Sequence, residues 1–260
     1  MPGTAPTAPA PPVPLRSHAG AVRAVRPLVP GLLEVELQGL DGLVPVAPDT
    51  FAYVMVDVTG GTIDPAFTIE DFMAQDGRGP IAGAYYTLRR RDPESGVVTL
   101  WAVVHDHPGS VGAWLRAAGP GDPVVVWGPR PGFVPPPRAS SILLVADETG
   151  LAAVAAIVES LPDDVDVVAR LEVADRAAAP PMPRHPGLDL RWVRRAGEPG
   201  TGDELLDEVA ALDIGDVGRW AAFGGAESRQ VTRIRRLLRH ERGLPAERVL
   251  MTGYWRRDVD

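Results

Sequence analysis

The strongest constraint on this 260-residue chain is a change of rhythm at PRPGFVPPPRA, residues 129–139. Proline has no amide hydrogen to give to a sheet ladder, so no regular element runs through this stretch. Before it, from about 17 to 130, short alternating or β-branched runs are separated by turns, the pattern of antiparallel sheet. After it, strand-like runs alternate with helical ones, the pattern of a parallel sheet wrapped by helices. Two domains are therefore expected, 17–137 and 138–260, which suits a length near the limit at which one core stops growing.

Six runs precede the boundary, at 21–28, 32–40, 51–60, 84–91, 97–106 and 122–129. Asp92, Pro93, Glu94, Ser95 and Gly96 carry turn chemistry, so the fourth and fifth runs should form a hairpin. With one short helical insert at 110–118, the set predicts a small closed six-stranded antiparallel barrel. Beyond the boundary, SSILLVAD, VDVVARLEVAD, LDLRWVRRA, RWAAFGG and RVLMTGYW read as five strands of a doubly wound parallel sheet with helices interleaved. The fold class is thus an all-β domain followed by an α/β domain. Residues 1–16, rich in proline and alanine, are expected to be an extended tail.

Composition removes several chemistries. With no cysteine there is no disulfide, thiolate zinc site, iron–sulfur cluster or thiol nucleophile. A formal charge of −8 opposes nucleic-acid binding, which needs a basic footprint. Arg233, Arg235, Arg236 and Arg239 do share a helix, but Val231, Ile234, Leu237 and Leu238 mark its core face, so the arginines read as its solvated face. No run approaches the roughly 18 apolar residues of a membrane span, and no basic-then-apolar leader opens the chain. A cytoplasmic protein is expected. Neither a GxSxG elbow nor a GxGxxG fingerprint occurs.

The most informative segment is GAYYTLRRR at 83–91. In a strand, Tyr86 and Leu88 share one face while Tyr85, Thr87 and Arg89 share the other. A flat ring and a forked cation can flank one ligand there, and the same residues also suit an exposed strand with packed rings and solvated arginines. In HDHPGSVGAWL, His105, Asp106, Gly109, Ser110 and Val111 lead into a helix whose free amides can hold a phosphate, with Trp114 packing behind. His105 and His107 face one side of an extended chain but lack further ligands, so no metal site is assigned. Asp147, Glu148 and Thr149 sit where doubly wound folds place ligands, and also read as an ordinary helix cap. Gly224 and Gly225 allow close backbone approach, with Glu227, Ser228 and Arg229 at the following helix start.

Taken in order, GAYYTLRR, WAVVHDHPG, WGPR, VADETGLAAVAAIVE, GGAESR and GYWRR resemble the siderophore-interacting protein family, ferredoxin-reductase-like flavoproteins that reduce ferric siderophores. The resemblance runs from about residue 17 to 257. It implies FAD as cofactor, NADPH or NADH as donor and a ferric siderophore as small-molecule substrate of a monomeric enzyme serving iron uptake. Tyr86 and Thr87 would then lie against the flavin ring as the catalytic pair, with Tyr85, Leu88 and Trp114 around it. Arg89 and the HDHPGS stretch would hold the FAD phosphates, DETG and GGAES would frame the nicotinamide nucleotide, and Trp255 would lie near the ring. Arg130 and Arg256 are the substrate-binding candidates. Two departures stand out. Ala84 replaces the arginine that heads the family's R-x-Y-T-x-R strand, leaving Arg90 or Arg91 to compensate, and FAYVMVDV lacks the basic residue that relatives can place there for the siderophore. A general flavin reductase and a non-catalytic siderophore-binding protein with a degenerate flavin site are the alternative readings.

Overall fold

Strand β1 (Arg16–Val29) turns into β2 (Leu32–Gln38) through Pro30 and Gly31, and Gly31 takes the positive φ of 81° that the second turn position requires. The computed structural model describes residues 14–105, 107–137 and 139–257, so most of the expected tail lies outside the described residues. Strand β1 starts at Arg16 because Arg16–Ala21 pair with the last strand of the domain. Next come β3 (Thr50–Asp57), α1 (Ile69–Ala74), β4 (Ile81–Thr87), β5 (Arg90–Arg91), β6 (Val98–Val103), α2 (Val111–Ala117) and β7 (Pro123–Pro131).

These strands form one sheet in the order β4-β3-β7-β1-β2-β6-β5. There are seven rather than six because the predicted 84–91 strand breaks at Leu88 and Arg89, both buried. The two ends of the sheet are therefore only two residues apart in the chain. The sheet curls barrel-like around that corner without a closing ladder between β4 and β5. The expected hairpin forms between β5 and β6. A second helix, α1, was not predicted; its signal was the capping box in which Thr68 and Asp71 each bind the other's backbone amide. Inside, Val35, Leu37, Val54, Leu100 and Val126 pack under Val111 and Leu115 of α2.

The second domain runs β8 (Ser141–Ala146), α3 (Leu151–Ser160), β9 (Asp166–Val173), β10 (Leu188–Arg194), α4 (Glu204–Ala210), β11 (Trp220–Glu227), α5 (Ser228–Arg236) and β12 (Val249–Trp255). Its five strands are parallel, in the order β10-β9-β8-β11-β12. Strand order reverses between β8 and β11, which opens a crevice at their carboxyl ends. Helix α3 is buried from Leu151 to Val158 because it is covered on both sides. One apolar cluster joins it and the sheet to Leu32, Trp101 and Phe133 of the first domain. The crevice is thereby pinned against the end of β4.

Candidate active site

At that seam β4 ends in Thr87, 6% exposed, held by the pairing of Phe51 with Thr87 and by the Leu88 amide, which donates to the Thr50 carbonyl at 2.8 Å. Its hydroxyl faces two groups from elsewhere in the chain, the Asp49 carboxyl and the Tyr254 phenol of β12. The first domain and the closing strand of the second thus meet at one side chain. Tyr86, on the opposite face, packs against the first-domain core, where burial raises its phenol above the usual tyrosine range.

Asp49 is 2% exposed. Its Oδ2 accepts from the Phe133 amide at 3.3 Å, but among the described residues no donor reaches Oδ1 with hydrogen-bond geometry. The nearby Thr87 hydroxyl favours the charged form electrostatically, without completing that bond. Burial dominates and pushes the carboxyl up to about 7.

Tyr254 covers the crevice side of this seam. A Cβ on Gly225 would come within 2.8 Å of its ring, so the bare glycine gives the ring its seat. Trp255, the aromatic expected near the ring, instead donates its indole N–H to Asp147 Oδ2 at 2.7 Å. Adjacent strand residues face opposite ways, so only one of the pair can reach Thr87. Asp147 also accepts from the Glu227 amide at 3.1 Å and from the Thr149 amide at 2.8 Å and hydroxyl at 2.5 Å, and its carboxyl is pushed up by burial.

The helix start after GGAES is already occupied. The Glu227 carboxylate accepts from the Arg229 amide at 2.6 Å and the Gln230 amide at 3.0 Å, the groups a phosphate would use. Ser228 donates to the Trp255 carbonyl at 2.7 Å, and the bare side of Gly224 is taken by the Met251 sulfur. Arg233 bonds to Asp203 and Arg229 is exposed. The crevice rim is acidic: Glu148 and Glu172 share Arg195 at 2.9 and 3.3 Å, Glu172 also accepts from Gln230 at 3.0 Å, and burial raises the Glu172 carboxyl.

Arg89, expected at the FAD phosphates, is engaged across the domains. Its guanidinium meets Glu159 of α3 at 2.5 and 3.0 Å and stacks 5.0 Å from the Trp101 ring. Arg90 joins the same carboxylate at 3.1 Å, and Arg91 donates to the Asp41 carbonyl at 3.3 Å. Ala84 packs against the first-domain core. Gly109 has φ +76° and leads to Ser110, whose hydroxyl accepts from the Ala113 amide at 3.1 Å and donates to the His107 carbonyl at 2.8 Å. The expected helix start is present, with Val111 and Trp114 packed inward and His105 exposed; Asp106 lies outside the described residues.

Arg130 sits among rings, 5.2 Å from Trp127, 5.8 Å from Phe51 and 5.9 Å from Tyr85. Tyr53, in the FAYVMVDV strand, packs its ring 4.7 Å from Tyr85. Tyr85 remains 55% exposed, so the group presents an aromatic surface around one cation. Arg256 is exposed. Sequence reasoning missed Asp49, Tyr254 and Glu159. Of these, Tyr254 carried a signal inside the GYWRR motif and Glu159 one at the end of VADETGLAAVAAIVE, whereas Asp49 lay in no quoted motif.

A curled antiparallel domain ending at the switch point of a parallel five-stranded domain is the fold of the ferredoxin-reductase-like flavoproteins. The first domain matches the siderophore-interacting FAD-binding domain over residues 21–133, and the second matches the siderophore-interacting protein domain over 139–258. An uncharacterized protein of Mycobacterium tuberculosis is 30% identical over 258 residues, covering 92% of this chain and 90% of its own. The crystal structure of a siderophore utilization protein from T. fusca superposes with a TM-score of 0.81 at 34% identity, covering 95% of both chains. The ferric acinetobactin reductase of Acinetobacter baumannii is 23% identical, over 75% of this chain and 68% of that one. The chain belongs to the siderophore-interacting protein family.

Among the described residues, no helix is long and apolar enough to cross a membrane, and no cluster of three or more histidine, aspartate or glutamate side chains could hold a metal ion.

Proposed function

We propose that this chain takes hydride from NADH or NADPH and delivers electrons singly to Fe(III) held in a siderophore, which leaves as Fe(II). The observation that carries the reading is the meeting of Thr87, at the end of β4, with Tyr254 of the closing strand at one interdomain seam. A flavin ring edge, with its hydrogen-bonding nitrogens and flat apolar face, fits the two hydroxyls of Thr87 and Tyr254.

FAD, when bound, supplies the conversion between a two-electron hydride and one-electron reduction of iron. Thr87 sets a hydroxyl at the ring edge and Tyr254 covers the seam until the nicotinamide needs the space, while Tyr86 supports the strand from the first-domain core. The reading assigns the FAD phosphates to the Gly109–Val111 turn and the nucleotide to the Asp147–Thr149 edge, with the α5 start left to the Glu227 carboxylate. Arg130 and the surrounding rings offer a cation and stacking faces to an anionic or aryl-bearing chelate. The protein needs no iron ligand of its own, because oxygen-rich chelators hold Fe(III) more tightly than Fe(II) and reduction itself loosens the complex. With reduced nicotinamide nucleotides as donors, the reading puts this work in the cytoplasm. The reductase named among the relatives supports the same chemistry. The test compares NAD(P)H-driven turnover of a ferric siderophore with that of free flavin. Faster reduction of the chelate is expected, and preference for free flavin contradicts the reading.

A further inference from the structure

Asp49 has no part in the reading above, and the chemistry of that reading leaves one proton unassigned. The balanced reaction is NAD(P)H plus two Fe(III) giving NAD(P)⁺, two Fe(II) and one H⁺. The hydride brings two electrons and a proton; each iron takes one electron, and the proton must leave the seam. We propose that Asp49 takes up this proton through the Thr87 hydroxyl and releases it past Tyr254 to solvent.

Three features of the fold support the assignment, which rests on the flavin reading. First, Asp49 is rigid: Gly132 donates to its carbonyl at 3.0 Å, Phe133 donates to Oδ2, and a Cβ on Gly132 would lie 2.2 Å from that same oxygen. A carboxylate kept only to tie down the linker would spend its second oxygen as well, yet Oδ1 has no donor among the described residues. Second, the hydroxyl of Thr87, the group placed at the ring edge, lies beside it. Third, the carboxyl is tuned for exchange. Burial raises it to about 7, while the Phe133 amide and Thr87 hydroxyl hold it down, so both protonation states are accessible at neutral pH. The titratable groups facing it are the Tyr254 phenol and, beyond that phenol, Asp147. Burial and the two carboxyls push the phenol far above neutrality, so Tyr254 stays protonated and passes a proton without ionising. Tyr254 is 37% exposed as a residue with its phenol end buried, so its ring spans from the seam to solvent.

The test uses the FAD-loaded full chain. Its midpoint potential is measured against pH, alongside the infrared band of a buried protonated carboxyl. In the unmodified protein the potential should change slope near neutrality and the band should titrate in the same range; D49N should lose both. Anaerobically reduced D49N should pass electrons to a ferric chelate roughly 100-fold more slowly, with hydride uptake little changed, because that half-reaction releases no proton. T87V should keep the carboxyl band and lose the slope change, and it decides the matter with the unmodified profile if D49N does not fold. An FAD-loaded protein whose potential shows no slope change near neutrality, or a band that titrates identically in D49N, overturns the inference while leaving the flavin reading intact. A protein that takes up no FAD overturns both, and shows it in the visible spectrum before any titration.

Discussion

The Thr87 hydroxyl is the smallest group on which the functional reading depends, and valine removes it while keeping the β-branched shape that suits the end of β4. T87V is expected to slow hydride transfer in stopped flow by about tenfold to a hundredfold, with unfolding free energy changed by about 1 kcal/mol or less. Unchanged hydride transfer would show that the hydroxyl does not touch the ring edge. Asp49 offers a second handle, through stability. Its folded value, about 7, lies above its ordinary value of 3.8, so the folded state binds the proton more tightly. Its contribution is fully present below pH 3.8 and is lost as pH rises toward 7. Urea unfolding across that range should show the decline in the unmodified protein and a flatter profile in D49N; parallel profiles would contradict the burial argument. Asp49 was invisible in the sequence, where one acid before a strand looks like any turn residue. Its character comes from Phe133, some 84 positions away, folding over it. Tyr254 was half legible: the motif was seen, but Trp255 was chosen, and only the facing of β12 shows which ring reaches Thr87.

Between elements, the contact that sets the seam is the Arg89–Glu159 pair, joining the corner after β4 to α3. Arg89 is 6% exposed and Glu159 37% in their side chains, so the pair is screened less than a surface bridge. E159A leaves a buried guanidinium with no carboxylate and should destabilise the fold by about 2–4 kcal/mol in urea unfolding. The sign with pH is fixed. Hydrogen bonding by Arg89 holds the Glu159 carboxyl below its ordinary 4.5, so the contribution is present above that value and lost as pH falls through the folded one. The gap between E159A and the unmodified chain should therefore narrow in acid; a constant gap would mean the loss is one of packing. Periodicity made most elements legible because apolar alternation and helical spacing are local properties. The split of 84–91 into β4 and β5 was not, since the bend at Leu88 and Arg89 follows from Arg89 reaching a helix in the other domain. Nor was the filling of the α5 start by Glu227, which as a bare motif looks like a phosphate cradle.

For the whole molecule, the change of rhythm did foretell an antiparallel sheet followed by a parallel one wrapped by helices, and the order of weak motifs carried the family. What the chain could not show is how the domains meet. The shared cluster of Leu32, Trp101 and Phe133 with α3 fixes that relation and brings Thr87 to Tyr254. The central claim is that this seam holds a flavin reducible by a nicotinamide nucleotide and reoxidised by ferric chelate. The direct test is the visible spectrum of the protein purified or reconstituted with FAD, followed under anaerobic addition of NADH or NADPH and then of a ferric siderophore. Bound-flavin absorption that bleaches with nucleotide and returns with the chelate is the expected result. A colourless protein that retains no FAD, or a bound flavin that the reduced nucleotide leaves oxidised, would contradict it.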